Sequence, residues 1–180
     1  IDPGAPQTLY AAVMDQGIYK TTTGGAWWTQ INNGLPSTHL TAVVVDPQQP
    51  QTLYTLPYPM GVYKSTNGGA LWSAVNGGLT NSRVVSLAMD PTDPRKLYAG
   101  TYPSYPYPWG VFRTTDAGGS WASVNTGLPS QNVYSLAVDP SDGRTVYAGL
   151  WSAGVYSATF PAEAPSFAVS GRATLSGQAD

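Results

Sequence analysis

Four segments of the 180-residue sequence line up in register: IDPGAPQTLYAAVMDQGIYKTT, VDPQQPQTLYTLPYPMGVYKST, MDPTDPRKLYAGTYPSYPYPWGVFRTT and VDPSDGRTVYAGLWSAGVYSAT. Their Asp-Pro pairs begin at Asp2, Asp46, Asp90 and Asp139, so the spacings are 44, 44 and 49 residues. A tandem period of this size confines the chain to repeat architectures, where a unit buries its apolar faces only by stacking on the next. The step from Tyr to Gly is 7 residues in Tyr10–Gly17, Tyr54–Gly61 and Tyr147–Gly154 but 12 in Tyr98–Gly110. All of the extra length therefore lies in one loop, within TYPSYPYPWG at 101–110.

Each full unit reads as four short strands. In the third unit they are A (84–90), B (96–100), C (110–115) and D (120–125), rich in Val, Tyr, Thr and Trp and separated by Pro, Asp and Gly turns. No stretch shows helical periodicity. Four antiparallel strands per unit of about 44 residues predict an all-β chain of β-propeller blades. Ile1-Asp2-Pro3 aligns with the end of strand A, and GVYSATF runs into PAEAP where a fourth strand would follow. The expected count is three, four, four and three strands, about three and a half blades. The ring is incomplete unless copies of the chain or further sequence complete it. The blades are expected at 1–32 (partial), 40–76, 84–125 and 133–160 (partial), within a propeller region of 1–160. A Pro/Ala linker (161–166) and a tail (167–180) follow, the tail being an extra strand or the start of a further β module.

The C–D turn carries a pattern found once per unit. Thr114, Asp116, Gly118 and Trp121 fit Ser/Thr-x-Asp-x-Gly-x-x-Trp; Ser65, Asn67, Gly69 and Trp72 fit it with Asn for Asp; Thr21, Thr23, Gly25 and Trp28 fit it with Thr for Asp. A V-N-x-G-L segment follows at 75–79 and 124–128, with Ile31 opening the first copy. Over residues 1 to about 160 the chain resembles the Asp-box (BNR) β-propellers. These include sialidases, xyloglucan-specific glycoside hydrolases, sortilin-type receptors and photosystem II assembly-factor-like proteins. The resemblance implies that the box is structural, tying the turn and setting its Trp between sheets. It implies architecture rather than activity. The tail's S-G-R-x-T also resembles the opening of β-sandwich modules in bacterial surface proteins. A bacterial, extracellular or cell-surface protein is the expectation; no signal peptide is contained in this chain.

Charged residues make up 10% of the chain, the net charge is −2 and no basic run occurs, which speaks against a nucleic-acid partner. No apolar stretch suits membrane insertion. With no Cys and a single histidine, His39, in a D–A connector, the chain offers no metal or cofactor site. Glycoside hydrolysis needs two carboxylates across a cleft. Asp2, Asp46, Asp90, Asp93, Asp139 and Asp142 belong to A–B turns, Asp116 to a box, and Glu163 and Asp180 to the linker and terminus. Only Asp15, in a B–C hairpin, is left, so no catalytic residue is expected.

Seven of the twelve Tyr occupy repeated positions on strands B and C and are expected in the core. Tyr58, Tyr102, Tyr105, Tyr107, Trp109 and Trp151 fall instead in B–C loops, which hairpin topology gathers on one face with the D–A connectors. Flat rings with a polar tip, on loops stiffened by Pro, suit a polysaccharide or a protein partner. The expected function is a non-catalytic scaffold that binds through this face or self-assembles through open blade edges, as a homo-oligomer. The alternative is a piece of a xyloglucanase-like hydrolase whose carboxylates lie outside this chain.

Overall fold

The computed structural model describes residues 1–103, 105–129, 131–151 and 153–161. It contains fourteen strands in four antiparallel sheets. The first sheet holds β1 (Leu9–Val13), β2 (Gly17–Thr21) and β3 (Thr29–Gln30). The second holds β4 (Leu40–Val45), β5 (Leu53–Pro57), β6 (Tyr63–Ser65) and β7 (Ser73–Ala74). The third holds β8 (Val84–Met89), β9 (Leu97–Thr101), β10 (Val111–Thr114) and β11 (Ala122–Ser123). The fourth holds β12 (Val133–Val138), β13 (Thr145–Leu150) and β14 (Gly154–Thr159). Strands follow one another across each sheet in chain order, and the count is three, four, four and three. Strand D is shorter than the sequence suggests, only two residues in β3, β7 and β11.

Strand A is missing from the first sheet, and β4, β8 and β12 are the inner strands of the others. β1 touches β4, β4 touches β8, and β8 touches β12, so the sheets succeed one another around a common axis. Three apolar clusters fill the seams. Ile18, Leu40, Leu53 and Trp72 lie between the first and second sheets; Tyr54, Leu56, Val84 and Trp121 between the second and third; Tyr98, Val111, Val133 and Val146 between the third and fourth.

The A–B turns are held by the aspartates that begin each repeat. Asp2, Asp46 and Asp90 each accept two backbone N–H bonds through Oδ1 at 2.8–3.1 Å, and Asp139 accepts one from Ser141 at 2.8 Å. The C–D turns share one network built from three different side chains. The Thr21, Ser65 and Thr114 hydroxyls accept the N–H of Gly25, Gly69 and Gly118. Two residues on, Thr23, Asn67 and Asp116 accept the N–H of Trp27, Leu71 and Ser120 at 3.1, 2.9 and 2.8 Å. A hydroxyl or amide oxygen thus serves where the carboxylate is absent.

Hydrogen bonds from the Ser120 backbone and the Thr114 and Ser120 hydroxyls hold the Asp116 carboxyl down at about 2. A depressed folded-state value favours the fold above about pH 4 and ceases to do so as pH falls toward 2. Asp116→Asn is therefore expected to flatten the acid limb of a stability–pH curve between pH 4 and 2. Its urea midpoint should differ from the parent's more at pH 6 than at pH 2.5. Equal differences at both pH values would show that the carboxylate charge contributes nothing.

Trp72 and Trp121 are buried, 2% and 5% exposed, and their indole Nε1 donates across the seam to Ile31 O (2.7 Å) and Val75 O (2.8 Å). Trp28 departs from the expectation, at 41% exposed, because no described sheet lies beside β3 on that side to receive its ring. Tyr147 and Tyr156 depart likewise, 41% and 39% exposed, because nothing described packs on the outer face or free edge of the fourth sheet. Tyr54 and Tyr98 are core, as expected. The linker and tail lie outside the described residues, apart from Pro161.

Candidate functional site

The B–C loops and D–A connectors meet on one face, joined by backbone hydrogen bonds. Tyr58 N donates to His39 O (2.9 Å), Tyr102 N to Arg83 O (2.8 Å) and Trp151 N to Asn132 O (2.9 Å). Asn81, only 1% exposed, fixes the third loop from beneath: its Oδ1 accepts Arg83 N and its Nδ2 donates to Tyr102 O.

Each inner strand is irregular at this end. The register of β4, β8 and β12 against its neighbour shifts between Leu40 and Val43, Val84 and Ser86, and Val133 and Ser135. Such irregularities re-aim a side chain at a sheet rim. Here the residues within them, Thr41, Val85 and Tyr134, join His39, Tyr58 and Tyr102 in lining a cleft of about 270 Å³.

An aromatic row crosses that cleft. Trp151 stacks on Tyr134 with ring centroids 5.0 Å apart, and Tyr134 meets Tyr102 edge-on at 5.8 Å. On the other side His39 and Tyr58 lie 5.9 Å apart, and His39 Nδ1 is 2.8 Å from Asp15 Oδ1. That pair is solvent-exposed, so it orients the ring more than it stabilises the fold. A hydrogen bond with Tyr102 pushes the Tyr134 phenol above its ordinary value.

The six aromatics singled out from the sequence divide. Tyr58, Tyr102 and Trp151 enter the row or the cleft. Tyr105 and Tyr107 project into solvent, 91% and 54% exposed, and neither lines the cleft. Trp109 is half-buried at the base of its loop, where its carbonyl accepts Asn125 Nδ2 at 3.0 Å. Sequence reasoning missed Tyr134, His39 as a partner of Asp15, and Asn81. A signal for Tyr134 exists: the second residue of strand A runs Thr41, Val85, Tyr134, an aromatic where the earlier units carry smaller side chains.

Among the described residues no three His, Cys, Asp or Glu side chains are grouped to hold a metal ion. Asp15 is the one carboxylate of the described residues on this face, and a sugar-cleaving pair needs a second. The arrangement stacks flat or apolar surfaces and offers hydrogen bonds at its edges from His39, Thr41 and the phenols.

No protein-family model and no curated protein matches the sequence. Solved structures do. An ancestral GH74 enzyme superposes with a TM-score of 0.73 at 26% identity, over 87% of this chain and 22% of that chain. The fold is a β-propeller. An auxiliary nutrient binding protein from Bacteroides ovatus shares this propeller fold, with a TM-score of 0.64 at 12% identity over 89% of this chain and 37% of that chain. YCF48 bound to D1 peptide does so with a TM-score of 0.55 at 16% identity, over 81% and 45%. The present propeller blades thus span less than half the length of each of these relatives. No helix among the described residues is long and apolar enough to cross a membrane.

Proposed function

We propose that these propeller blades are a non-catalytic binding scaffold of a secreted or cell-surface bacterial protein, and that the B–C face takes a glycan. The observation that carries this reading is the Tyr102–Tyr134–Trp151 row above the cleft. Its rings come from two blades, so seam packing holds them in place before any ligand arrives and little ordering entropy is lost on binding. Their apolar faces match the C–H faces of pyranose rings. The likeness to a GH74 enzyme supports a saccharide ligand.

Titration with cello- and xyloglucan-oligosaccharides, followed by Trp fluorescence and amide shifts, tests the proposal. Trp151→Ala and Tyr134→Ala are expected to weaken binding at least tenfold, and Tyr105→Ala less than twofold. Glycans that leave the Tyr134 and Trp151 signals unmoved would remove the reading. The 26% identity to a GH74 enzyme favours a second reading, a sugar subsite of a hydrolase whose carboxylates lie in other blades. Release of reducing sugar by the longer gene product would decide for it.

A further inference from the structure

Three Asn-Gly pairs occur in the sequence, Asn33-Gly34, Asn67-Gly68 and Asn76-Gly77, and the fold treats them differently. An asparagine before glycine is the one whose side-chain carbonyl carbon lies most open to the next backbone nitrogen, since glycine has no side chain to shield that nitrogen and bends freely. At Asn67 both reacting groups are occupied. Its Oδ1 accepts the Ser65 hydroxyl (2.8 Å) and Leu71 N–H (2.9 Å), and Gly68 N donates to Gln51 O (2.8 Å). At Asn76 the amide is tied to the root of strand C, with Oδ1 accepting Val62 N–H (2.7 Å) and Nδ2 donating to Met60 O (3.1 Å).

Asn33 has neither protection. It is the second residue of an exposed turn closed by Leu35 N, which donates to Asn32 O (3.0 Å), and Gly34 stands third at φ +89°. The later units place Gly77 and Thr126 at the position of Asn33. Its amide makes one long, exposed bond, from Nδ2 to Ala70 O (3.3 Å), and Gly34 N has no hydrogen bond to any described residue. The backbone of these two residues also seats the next blade. Asn33 O accepts Trp72 N–H (2.9 Å), and a Cβ at Gly34 would fall 2.3 Å from Trp72 O.

We propose that Asn33 is a site of spontaneous deamidation, and that the product loosens the first seam. Gly34 N gives up its proton and attacks Asn33 Cγ; a C–N bond forms, and Nδ2 leaves as ammonia. Water then opens the five-membered imide at one of its two carbonyls. One opening leaves aspartate. The other leaves isoaspartate, in which the main chain runs through Cβ and Cγ and is one carbon longer. The former main-chain carbonyl, the acceptor of Trp72 N–H, becomes a carboxylate outside the main chain. Gly34 cannot take up the extra length by moving toward Trp72 O, because the two are already in contact. Aspartate at the same position adds the charge and keeps the chain length.

Tryptic mapping of the full 180-residue chain after incubation in mildly alkaline buffer tests this. Peptide 21–64 carries Asn33 alone of the three pairs, and peptide 65–83 carries the other two. The first is expected to gain one mass unit roughly tenfold or more faster than the second, because the hydrogen-bonded pairs react only after local opening. In urea the two peptides should change at comparable rates. Asn33→Gln, whose longer side chain closes the ring far more slowly, should leave peptide 21–64 unchanged. Equal rates in the folded chain, or a gain that survives Asn33→Gln, would overturn the proposal. The isoaspartate form, separated by anion exchange and identified by isoaspartyl methylation, should unfold at lower urea than Asn33→Asp. Identical midpoints would overturn the assigned effect on the seam.

Discussion

Trp72→Ala is expected to cost about 3–5 kcal/mol of folding stability, whereas Trp28→Ala costs about 1 kcal/mol or less. The two residues occupy the same place in the same motif, after Gly69 and Gly25. What separates them is the neighbour. Trp72 is 2% exposed among Ile18, Leu40 and Leu53, and its indole donates to Ile31 O; Trp28 is 41% exposed on an uncovered face. Removing Trp72 empties a packed seam and leaves a carbonyl without its donor, so transfer, cavity and hydrogen-bond losses add. Trp121→Ala should resemble Trp72→Ala, since its seat is the same. Urea unfolding of the three variants reads the order directly. If Trp28→Ala proved as costly as the other two, the seam would not be the source of the effect.

The same contrast marks what the sequence can disclose. The repeat, the number of strands per unit and the 3-4-4-3 count are local properties, legible from the spacing of Asp-Pro, Tyr, Gly and Trp. Burial of a given Trp or Tyr depends on whether a sheet stands beside it, which the motif itself does not carry. The candidate site was legible only in part, for a related reason. Tyr58, Tyr102 and Trp151 are visible as surplus aromatics in loops. Tyr134 lies inside a strand, and reaches the cleft only because β12 shifts register between Val133 and Ser135. His39 and Asp15, 24 residues apart and in adjoining sheets, meet through the ring's curvature. Tyr105 and Tyr107, grouped with them by composition, are exposed and stand outside the cleft lining.

Asn125→Ala is expected to destabilise the chain by about 2–4 kcal/mol and to loosen the long aromatic loop. The Asn of each V-N-x-G-L or I-N-x-G-L segment reaches back to the root of strand C. Asn32, Asn76 and Asn125 accept the N–H of Ile18, Val62 and Val111 through Oδ1, each at 2.7 Å. Their Nδ2 donates to the carbonyls of Gln16, Met60 and Trp109 at 3.0–3.1 Å. One amide thus clamps the chain on both sides of the glycine where the B–C loop enters strand C, and its loss strands a buried N–H at Val111 and frees the loop at Trp109. Room for the clamp is made by glycine. Gly110 has φ +124°, and a Cβ there would lie 2.2 Å from Asn125 Oδ1. Gly110→Ala should therefore be about as damaging, through clash and through backbone strain. The two substitutions act on one contact, so their costs should not add: in the double variant the clash is gone and only the strain and the lost bonds remain. A double-mutant cycle on unfolding stability measures that coupling, and strict additivity would mean that Asn125 and Gly110 do not act as a unit. Because the clamp sits at the base of the loop that begins with Tyr102, Asn125→Ala should also weaken any ligand held by the Tyr102–Tyr134 pair. Asn32→Ala, at the root of the Asp15 hairpin, should cost similar stability and leave that pair in place.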